Sequence, residues 1–511
     1  MLGSAADDSM LAHWRAHDPS IESSARLIEQ LCEGTLPRAF AAGADAHPDA
    51  VLVVGEDVFT LADLSRRARR WAGALAAEGV AAGRPVILQA PTSGSMVCAY
   101  LGLLVLGAPV VLASPALTAV EFDVIAATSG ATAAVTDNPA PQSIRHIDLT
   151  ALAVSAETAA EAADPGPRCD DVAVIAFTSG TTGAPKGVPL THTMLLSSIR
   201  AVMRAWRWTA RDRLVHALPL YHQHGLGGIH ATLIAGSSAR ILAEFDAATL
   251  VRTIHAERAT VLFAVPTIYQ RLVEIPENLA PQLASLRLAT SGSAPLPAAL
   301  FDLVTERLGI TPMERYGLTE SGLDVSNRYD GPRRAGVVGF PLPGVELRLT
   351  DADGRDVAPG EHGEIVLRGP QVFSGYLDDQ EATARAFHGG NWFRTGDLGR
   401  IEDDGALAIT GRLKDIIVSG GLNVSPREVE EVLAGHPAVE EAAVTGLPDP
   451  YWGEAVAAWV VLRHDIDPAD LTAHCRTRLM AFKCPKRITV VDALPRNAMG
   501  KIQRNQLRSM A

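Results

Sequence analysis

A loop rich in hydroxyl and glycine residues, TSGTTGAPKG at residues 178–187, follows a continuous apolar run, VAVIAF at residues 172–177. The apolar run is typical of a buried strand, whereas the loop fits neither a helical nor a strand period. Glycines let backbone N–H groups turn towards an anion, the hydroxyl groups add donors, and Lys186 adds positive charge. The pattern predicts a phosphate-binding loop rather than a flexible surface loop. It is not a Walker A loop, because Pro185 stands where that motif has glycine before its lysine.

Four further motifs follow along the chain: RYGLTES (315–321), WFRTGDLG (392–399), GRLKDII (411–417) and PRNAMGKIQR (495–504). In this order, and together with the loop, they resemble the motifs of the adenylate-forming superfamily, which includes the acyl-CoA synthetases. The resemblance covers nearly the whole chain after the first 35 residues or so. It implies a reaction in which a carboxylate attacks the α-phosphorus of ATP, giving acyl-AMP and pyrophosphate. A thiol, usually that of CoA, then displaces AMP.

The resemblance also assigns the residues that would hold ATP. Thr319 would contact the α-phosphate, and Glu320 would bind Mg²⁺, a hard cation that prefers oxygen ligands. Asp397 would accept hydrogen bonds from both ribose hydroxyls, with Arg412 as a second ribose contact. Tyr316 would stack on adenine. The β- and γ-phosphates would be held by Thr178, Ser179, Gly180, Thr181, Thr182, Gly183 and Lys186, and the adenine edge would pass Ser293, Ala294 and Pro295.

Lys501, in the last motif, matches the catalytic lysine that stabilises the charge developing on the carboxylate and the α-phosphate. Lys414 falls at the hinge position of the family. After adenylation the C-terminal domain would rotate, withdrawing Lys501 and bringing the segment SGGLNVSP (419–426) to the acyl site. Gly420 and Gly421 lack side chains, so the pantetheine arm of CoA would pass close to their backbone.

A narrower likeness, to malonyl-CoA synthetases, lies in LPLYHQHGLGG (218–228), VPTIYQRL (265–272) and SNRYDGPRRAGVVGFPLPGVELRL (326–349). It implies that the planar guanidinium of Arg271 pairs with the distal carboxylate of a short diacid. His222 matches the family's acyl-pocket histidine and is counted with the catalytic residues. His224 either lines the same pocket or is a core histidine.

The sequence departs from that branch next to the acyl pocket. Leu318 replaces the usual methionine, and SGLDVS (321–326) replaces threonine and a Met-Asn-Thr-Ser-like run. Gly322 would enlarge the pocket, and an inward-facing Asp324 would repel a second carboxylate. We therefore predict malonate or methylmalonate as the acid, with another small diacid or a non-diacid as the alternatives.

The acceptor and even the activity have alternatives. An acyl-AMP ligase that loads an acyl carrier protein would have the same adenylation residues as a CoA ligase. A non-catalytic nucleotide-binding protein of this fold is disfavoured, because Lys186, Glu320, Asp397 and Lys501 are all present. Nothing in the sequence favours an oxygenase.

The sequence around these motifs predicts an α/β fold. Apolar strand-like runs alternate with alanine-rich helical patterns through the first two thirds of the chain, which predicts parallel α/β layers. From Val345 short strands and turns indicate a β-rich subdomain, and from about Leu413 a separate small α+β domain follows. We predict a large N-terminal adenylation domain over residues 1–411 and a mobile C-terminal domain over residues 412–511.

Composition sets the remaining bounds. The 511 residues suffice for two domains, and the net charge of −13 argues against a general nucleic-acid or anionic-membrane binder. The five scattered cysteines show no metal-binding spacing and predict a cytoplasmic protein with free thiols. The N-terminal sequence has no signal-peptide pattern, and the longest apolar run is interrupted by glycine and proline, so no membrane span is predicted. The expected partners are a small carboxylic acid, ATP, Mg²⁺ and CoA.

Overall fold

The computed structural model describes residues 4–138, 144–162, 166–179, 185–496 and 502–510. Its helices mostly begin at residues that cap them: Thr60, Ser93, Asp148 and Asp246 each accept a hydrogen bond from a backbone N–H of the first turn. None of the described helices is long and apolar enough to cross a membrane. The α-helices are α1 (Ser4–His17), α2 (Ser24–Cys32), α3 (Leu36–Ala46), α4 (Leu61–Ala77), α5 (Gly94–Leu106), α6 (Ala119–Ser129), α7 (Leu149–Thr158), α8 (His192–Ala205), α9 (Gln223–Ala235), α10 (Ala247–Glu257), α11 (Pro266–Leu272), α12 (Ala298–Leu308), α13 (Gln380–Ala386), α14 (Pro426–Ala434), α15 (Pro468–Arg476) and α16 (Arg504–Ser509).

The strands of the described residues form three sheets. They are β1 (Val51–Val54), β2 (Asp57–Thr60), β3 (Val86–Gln89), β4 (Val110–Ala113), β5 (Ala133–Thr136), β6 (Arg145–Asp148), β7 (Val172–Ser179), β8 (Pro185–Thr191), β9 (Arg213–His216), β10 (Ser238–Ile241), β11 (Val261–Ala264), β12 (Leu288–Ser291), β13 (Met313–Tyr316), β14 (Val325–Ser326), β15 (Val337–Pro341), β16 (Glu346–Thr350), β17 (His362–Arg368), β18 (Phe387–His388), β19 (Trp392–Ile401), β20 (Leu407–Arg412), β21 (Ile417–Ser419), β22 (Leu422–Val424), β23 (Val439–Asp449), β24 (Gly453–Leu462) and β25 (Arg487–Val490).

The first sheet has the strand order β6-β5-β3-β4-β7-β8, and all its neighbours are parallel except the β7–β8 hairpin. Strands β3, β4 and β5 are buried along their whole length, which is expected for parallel strands covered on both faces. The predicted strand at residues 172–177 is confirmed as β7. The strand continues further than predicted, because Thr178 and Ser179 pair with Lys186 and Pro185 of β8.

The second sheet changes character along its length. Strands β1, β10, β9, β11, β12 and β13 pair in parallel, and β2 pairs antiparallel to β1 at the edge. Beyond β13 the order β14-β15-β20-β19-β17-β16 is antiparallel throughout. The change confirms the predicted passage from parallel α/β layers to a β-rich region. It occurs at β13, which comes before the predicted start at Val345, because the short strand β14 folds back on β13.

The C-terminal part forms its own sheet of β21 to β25, with its own apolar core around Val429, Leu433, Val444 and Val460. Helices α14 and α15 lie in the same part of the chain, which agrees with a small α+β unit. The exact boundary between residues 411 and 412 stays a prediction.

One carboxylate joins the amino ends of three parallel strands. Asp212 precedes β9 and accepts hydrogen bonds from Arg287 Nε and Nη2, both at 2.7 Å, and from Thr260 Oγ1 at 2.7 Å. Thr260 precedes β11 and Arg287 precedes β12. Burial opposes ionisation of Asp212, but the hydrogen bonds from Arg287, Thr209 and Thr260 lower the pKa of this carboxyl. The cluster fixes one end of the sheet.

We predict that Asp212→Asn lowers the free energy of unfolding by about 2–4 kcal/mol, because it leaves the mostly buried Arg287 without its counter-charge. Thermal and denaturant unfolding of the purified variant measure the loss. Asp302→Asn, on the exposed face of α12, is the matched control. Equal stability of the two variants would contradict a structural role for Asp212.

Buried histidines predict sensitivity to acid. Burial lowers the pKa of His216 and of His230 from 6.5 to about 3, so the folded protein keeps both neutral. The unfolded chain takes up protons near pH 6.5. Their contribution to stability is therefore complete above pH 6.5 and is lost progressively as the pH falls from 6.5 towards 3. His230→Gln should flatten the fall of the unfolding midpoint between pH 7 and pH 5, whereas the exposed His255→Gln should not. Identical slopes would show that His230 is not held neutral.

Candidate active site

A cavity of about 620 Å³ lies where the parallel strands of the second sheet end. Phe263 near the end of β11, Ser293 after β12 and Gly317 after β13 all line it, and so does His222 in the segment after β9. The carboxyl ends of parallel strands meet at one edge, and ligands of α/β proteins bind there. Helices α8 and α9 and the end of β7 close the cavity.

One end of the cavity carries a carboxylate held by two donors. Asp397, in the middle of β19, is 2% exposed. Its Oδ1 pairs with Arg412 Nε at 2.7 Å, and its Oδ2 accepts a hydrogen bond from the Tyr316 hydroxyl at 2.8 Å. The antiparallel register places Asp397 directly opposite Arg412. The structure thus brings together three residues that the sequence motifs assign to adenine and ribose.

A second carboxylate faces the same end. Glu320 Oε1 accepts a hydrogen bond from the Tyr376 hydroxyl at 2.9 Å, and burial raises the pKa of Glu320 above its usual range. Lys186 Nζ lies over the Tyr376 ring, 4.7 Å from its centroid. Thr319, whose carbonyl accepts a hydrogen bond from Gln223 Nε2 at 3.1 Å, also lines the cavity.

The phosphate-binding loop is described only at its two ends. Thr178 and Lys186 face each other across the β7–β8 hairpin, and both line the cavity. Ser179 is the last residue of β7. Gly180, Thr181, Thr182 and Gly183 lie outside the described residues, and so does Lys501.

Two predicted histidines lie in the cavity wall. His222 is the residue before α9, its ring contacts that of Tyr221 at a tilt, and burial lowers its pKa to about 4. His224 Nδ1 lies 3.1 Å from Ser293 Oγ, whereas its Nε2 is buried without a hydrogen-bond partner among the described residues. Burial, and then the charge of Arg315, keep the pKa of His224 well below 6.5. Both imidazoles are therefore neutral at neutral pH.

Arg315 is a half-buried cation of this wall, and the sequence analysis did not single it out. No carboxylate lies within ion-pair distance of it among the described residues, and its buried Nε has no hydrogen-bond partner there. Burial lowers its pKa only to about 10, so the guanidinium stays charged. A Cβ on Gly292 would fall 2.5 Å from its Cζ, so a larger residue there would displace the guanidinium.

Arg271 does not reach the cavity, contrary to the prediction. Helix α11 buries Ile268, Tyr269 and Leu272 against the core, which turns Arg271 outward. Its side chain is 68% exposed and pairs with Glu274 at 3.3 Å. Likewise Ser293 lines the cavity, but Ala294 and Pro295 are not among the lining residues.

Asp324 faces neither the cavity nor solvent. Its Oδ2 accepts a hydrogen bond from Ser321 Oγ at 2.5 Å and its Oδ1 accepts one from Gln371 Nε2 at 3.1 Å. Burial raises the pKa of Asp324 to about 7. It is not among the lining residues, so direct repulsion of a second carboxylate by an inward-facing Asp324 is not expected.

The predicted hinge adjoins the cavity. Lys414 lies in a short 3₁₀ helix, Leu413–Asp415, directly after β20, and it lines the cavity next to Arg412. Gly420 and Gly421 form the exposed tip of the β21–β22 hairpin, both with positive φ, and are not among the lining residues.

Sequence reasoning missed Arg315 and Tyr376 for different reasons. Arg315 precedes Tyr316 on β13, and a strand period of two sends these neighbours to opposite sides. The alternation along β13, together with the glycine at residue 292, was the sequence signal that could have pointed to Arg315. Tyr376 lies far from Glu320 in sequence, and no local pattern joins them.

Comparisons with known proteins agree with this geometry. The family model described as AMP-binding enzyme matches residues 40–377, and that of its C-terminal domain matches residues 428–501. Feruloyl-CoA synthase of an Amycolatopsis species is 36% identical over 464 residues, covering 89% of this chain and 94% of the relative. ATP-bound MatB from Rhodopseudomonas palustris is 36% identical, with a TM-score of 0.88 over 93% of this chain and 98% of MatB.

A third relative is the o-succinylbenzoate CoA synthetase MenE of Bacillus subtilis in complex with ATP and a magnesium ion. It is 32% identical, with a TM-score of 0.83 over 92% of this chain and 99% of that enzyme. The fold is thus that of the adenylate-forming enzymes. The chain belongs to the AMP-binding enzyme family, and it is an ATP-dependent acyl-CoA ligase.

Proposed function

We propose that this ligase activates a short dicarboxylic acid of the malonate type, through an acyl-AMP, and transfers it to CoA. The observation that carries the proposal is the half-buried guanidinium of Arg315 in the cavity wall, which has no carboxylate partner among the described residues. A partly desolvated cation is stabilised when an anion meets it. A second carboxylate on the substrate supplies that anion, and a guanidinium binds a carboxylate with two parallel hydrogen bonds.

The surroundings of Arg315 suit a carboxylate. His224 is neutral and close enough for the Arg315 charge to lower its pKa, and Ser293 offers a hydroxyl group on the same side. Two acidic groups of the same segment are already engaged, Glu320 by Tyr376 and Asp324 by Ser321 and Gln371. The resemblance to malonyl-CoA synthetases supports the same class of acid.

The nucleotide would occupy the end of the cavity that holds Asp397 and Glu320. Asp397 would accept hydrogen bonds from the ribose hydroxyls, with Tyr316 beside adenine and Arg412 still paired with the carboxylate. Thr178 and Lys186 would meet the phosphates. The charges on both reactants make positioning and neutralisation the main sources of rate.

Magnesium fits the residues present. Among the described residues no group of three or more His, Cys, Asp or Glu side chains could hold a metal ion. Mg²⁺ commonly uses one or two carboxylates together with phosphate oxygens. Glu320, buried and aimed into the cavity, would be that carboxylate, and the ion would neutralise phosphate charge.

The C-terminal part would provide the second step. We propose that Lys501 acts in adenylation, that the chain pivots at Lys414, and that the Gly420–Gly421 hairpin then guides the thiol. CoA is the acceptor expected from the relatives, and we do not propose a carrier protein.

The function is tested by pyrophosphate release with ATP and Mg²⁺ over a panel of acids, with and without CoA. The panel is malonate, methylmalonate, succinate, acetate, butyrate and benzoate. Dicarboxylates should give the highest kcat/KM, and mass spectrometry should find their CoA thioesters. Activity with monoacids alone would overturn the dicarboxylate proposal and leave the ligase activity intact.

Arg315→Met should lower kcat/KM for malonate by about 100-fold or more, because a charged hydrogen bond to a buried carboxylate is lost. It should lower kcat/KM for butyrate by less than about threefold. Arg211→Met, on the surface, is the matched control. Equal losses on both acids would assign Arg315 to the nucleotide or to folding. Arg271→Ala belongs in the same panel, and a loss confined to dicarboxylates would return that residue to the site.

Lys501→Ala should abolish acyl-AMP formation while sparing thioester formation from preformed acyl-AMP, since the two steps use different orientations of the C-terminal part. Rapid-quench measurement of each half-reaction separates them. Lys486→Ala is the control lysine of the same domain. If both half-reactions fell together, Lys501 would not be specific to adenylation.

A further inference from the structure

The cavity extends beyond the reacting end into an apolar chamber, defined here by Met194, Ile199, Val202, Trp206, Leu226 and Phe263. Helices α8 and α9 supply four of these side chains. Malonate has no group that such a surface would favour, because each of its ends is charged. The chamber therefore needs a separate account.

Three polar side chains beside the chamber already have hydrogen-bond partners. Trp206 Nε1 donates to Ser326 Oγ at 2.8 Å, and the Tyr100 hydroxyl lies 2.8 Å from His230 Nε2. Ser198 Oγ accepts a hydrogen bond from Leu323 N at 3.0 Å. Since these groups have partners, an occupant gains affinity there by burying apolar surface rather than by forming hydrogen bonds.

Gly322 lies at the mouth of the chamber, packed closely against Ser198 of α8. It lies two residues after Glu320 with a φ of +75°, and a Cβ there would fall 2.5 Å from Ser198 Oγ. Any side chain at this position would press against α8. Gly322, one of the positions at which this sequence departs from the malonyl-CoA synthetases, thus faces α8, a helix that lines the chamber.

The chamber and Arg315 lie in different parts of the cavity and would contact different groups of one ligand. Arg315 lies against Gly292 and His224, beyond the end of β12, whereas the mouth lies between Gly322 and Ser198 on α8. The reacting carboxylate must in addition approach the nucleotide end near Thr319. An acid that meets all three has two carboxylates and an apolar branch between them.

We propose that the preferred substrate is a malonate-type acid carrying an alkyl substituent on its central carbon, and that the chamber holds this substituent. The inference rests on the proposed function for its two carboxylates. The specificity-determining residues are Gly322 and Ser198 at the mouth and Val202 in the wall.

The test is kcat/KM for acyl-CoA formation by the wild-type protein with malonate, methylmalonate, ethylmalonate and butylmalonate. Each buried methylene should raise kcat/KM by about threefold until the chamber is filled. Val202→Phe, which fills part of the chamber, should lower the ratio of kcat/KM for butylmalonate to kcat/KM for malonate by about fivefold or more. Val154→Phe, at an exposed position of α7, is the matched control.

A milder variant guards against misfolding. Val202→Ile adds one methylene and should move the optimum towards shorter substituents in the same assay, with thermal unfolding recorded alongside. A kcat/KM that is highest for malonate and falls with every added carbon would overturn the inference. So would equal losses on all four acids in Val202→Phe.

A series of acetate, butyrate and hexanoate separates this inference from the proposed function. If only these monoacids react, the proposal of a second carboxylate fails. If dicarboxylates react but substituents bring no gain, the proposed function stands and the chamber inference alone fails. If kcat/KM is higher for succinate and longer unbranched diacids than for the substituted malonates, the proposal of an alkyl substituent on the central carbon is wrong.

Discussion

The parallel pairing of β9, β11, β12 and β13 is the constraint on which the site depends. Parallel strands end at the same edge, and here the residues that follow each strand form one wall of the cavity. The opposite edge is closed by Asp212, which joins the segments preceding β9, β11 and β12. The sheet is thus cross-linked at its amino ends by a satisfied ion pair and is open for ligands at its carboxyl ends. The fixed edge allows the other edge to hold polar loops without collapsing.

Charge distribution divides the cavity. Asp397 and Arg412 compensate each other at the nucleotide end, and Glu320 is held by a neutral tyrosine hydroxyl. Arg315 lacks such compensation within the described residues. His222 and His224 add no charge, because burial keeps them neutral. In the proposed function a substrate anion would pair with Arg315, and the apolar chamber would take only groups that carry no charge.

The fold was largely predictable because its signals are local. Continuous apolar runs such as residues 86–89 and 110–113 became parallel strands, and the helical period at residues 61–80 became α4. The motif residues Asp397, Arg412 and Tyr316 also met as expected. For Arg271 the prediction from the motif was wrong. Its motif position suggested the pocket, but the apolar residues of α11 decide which way the helix faces. The burial of Asp324 was unpredictable in another sense, since its partner Gln371 is far away in sequence.

A crystal structure of the protein with a stable acyl-AMP analogue of malonate tests the central claim most directly. The account predicts that the free carboxylate of the analogue lies about 3 Å from the Arg315 guanidinium nitrogens, with the nucleotide ribose on Asp397. A free carboxylate directed elsewhere, with Arg315 bound to a phosphate or to water alone, would contradict it.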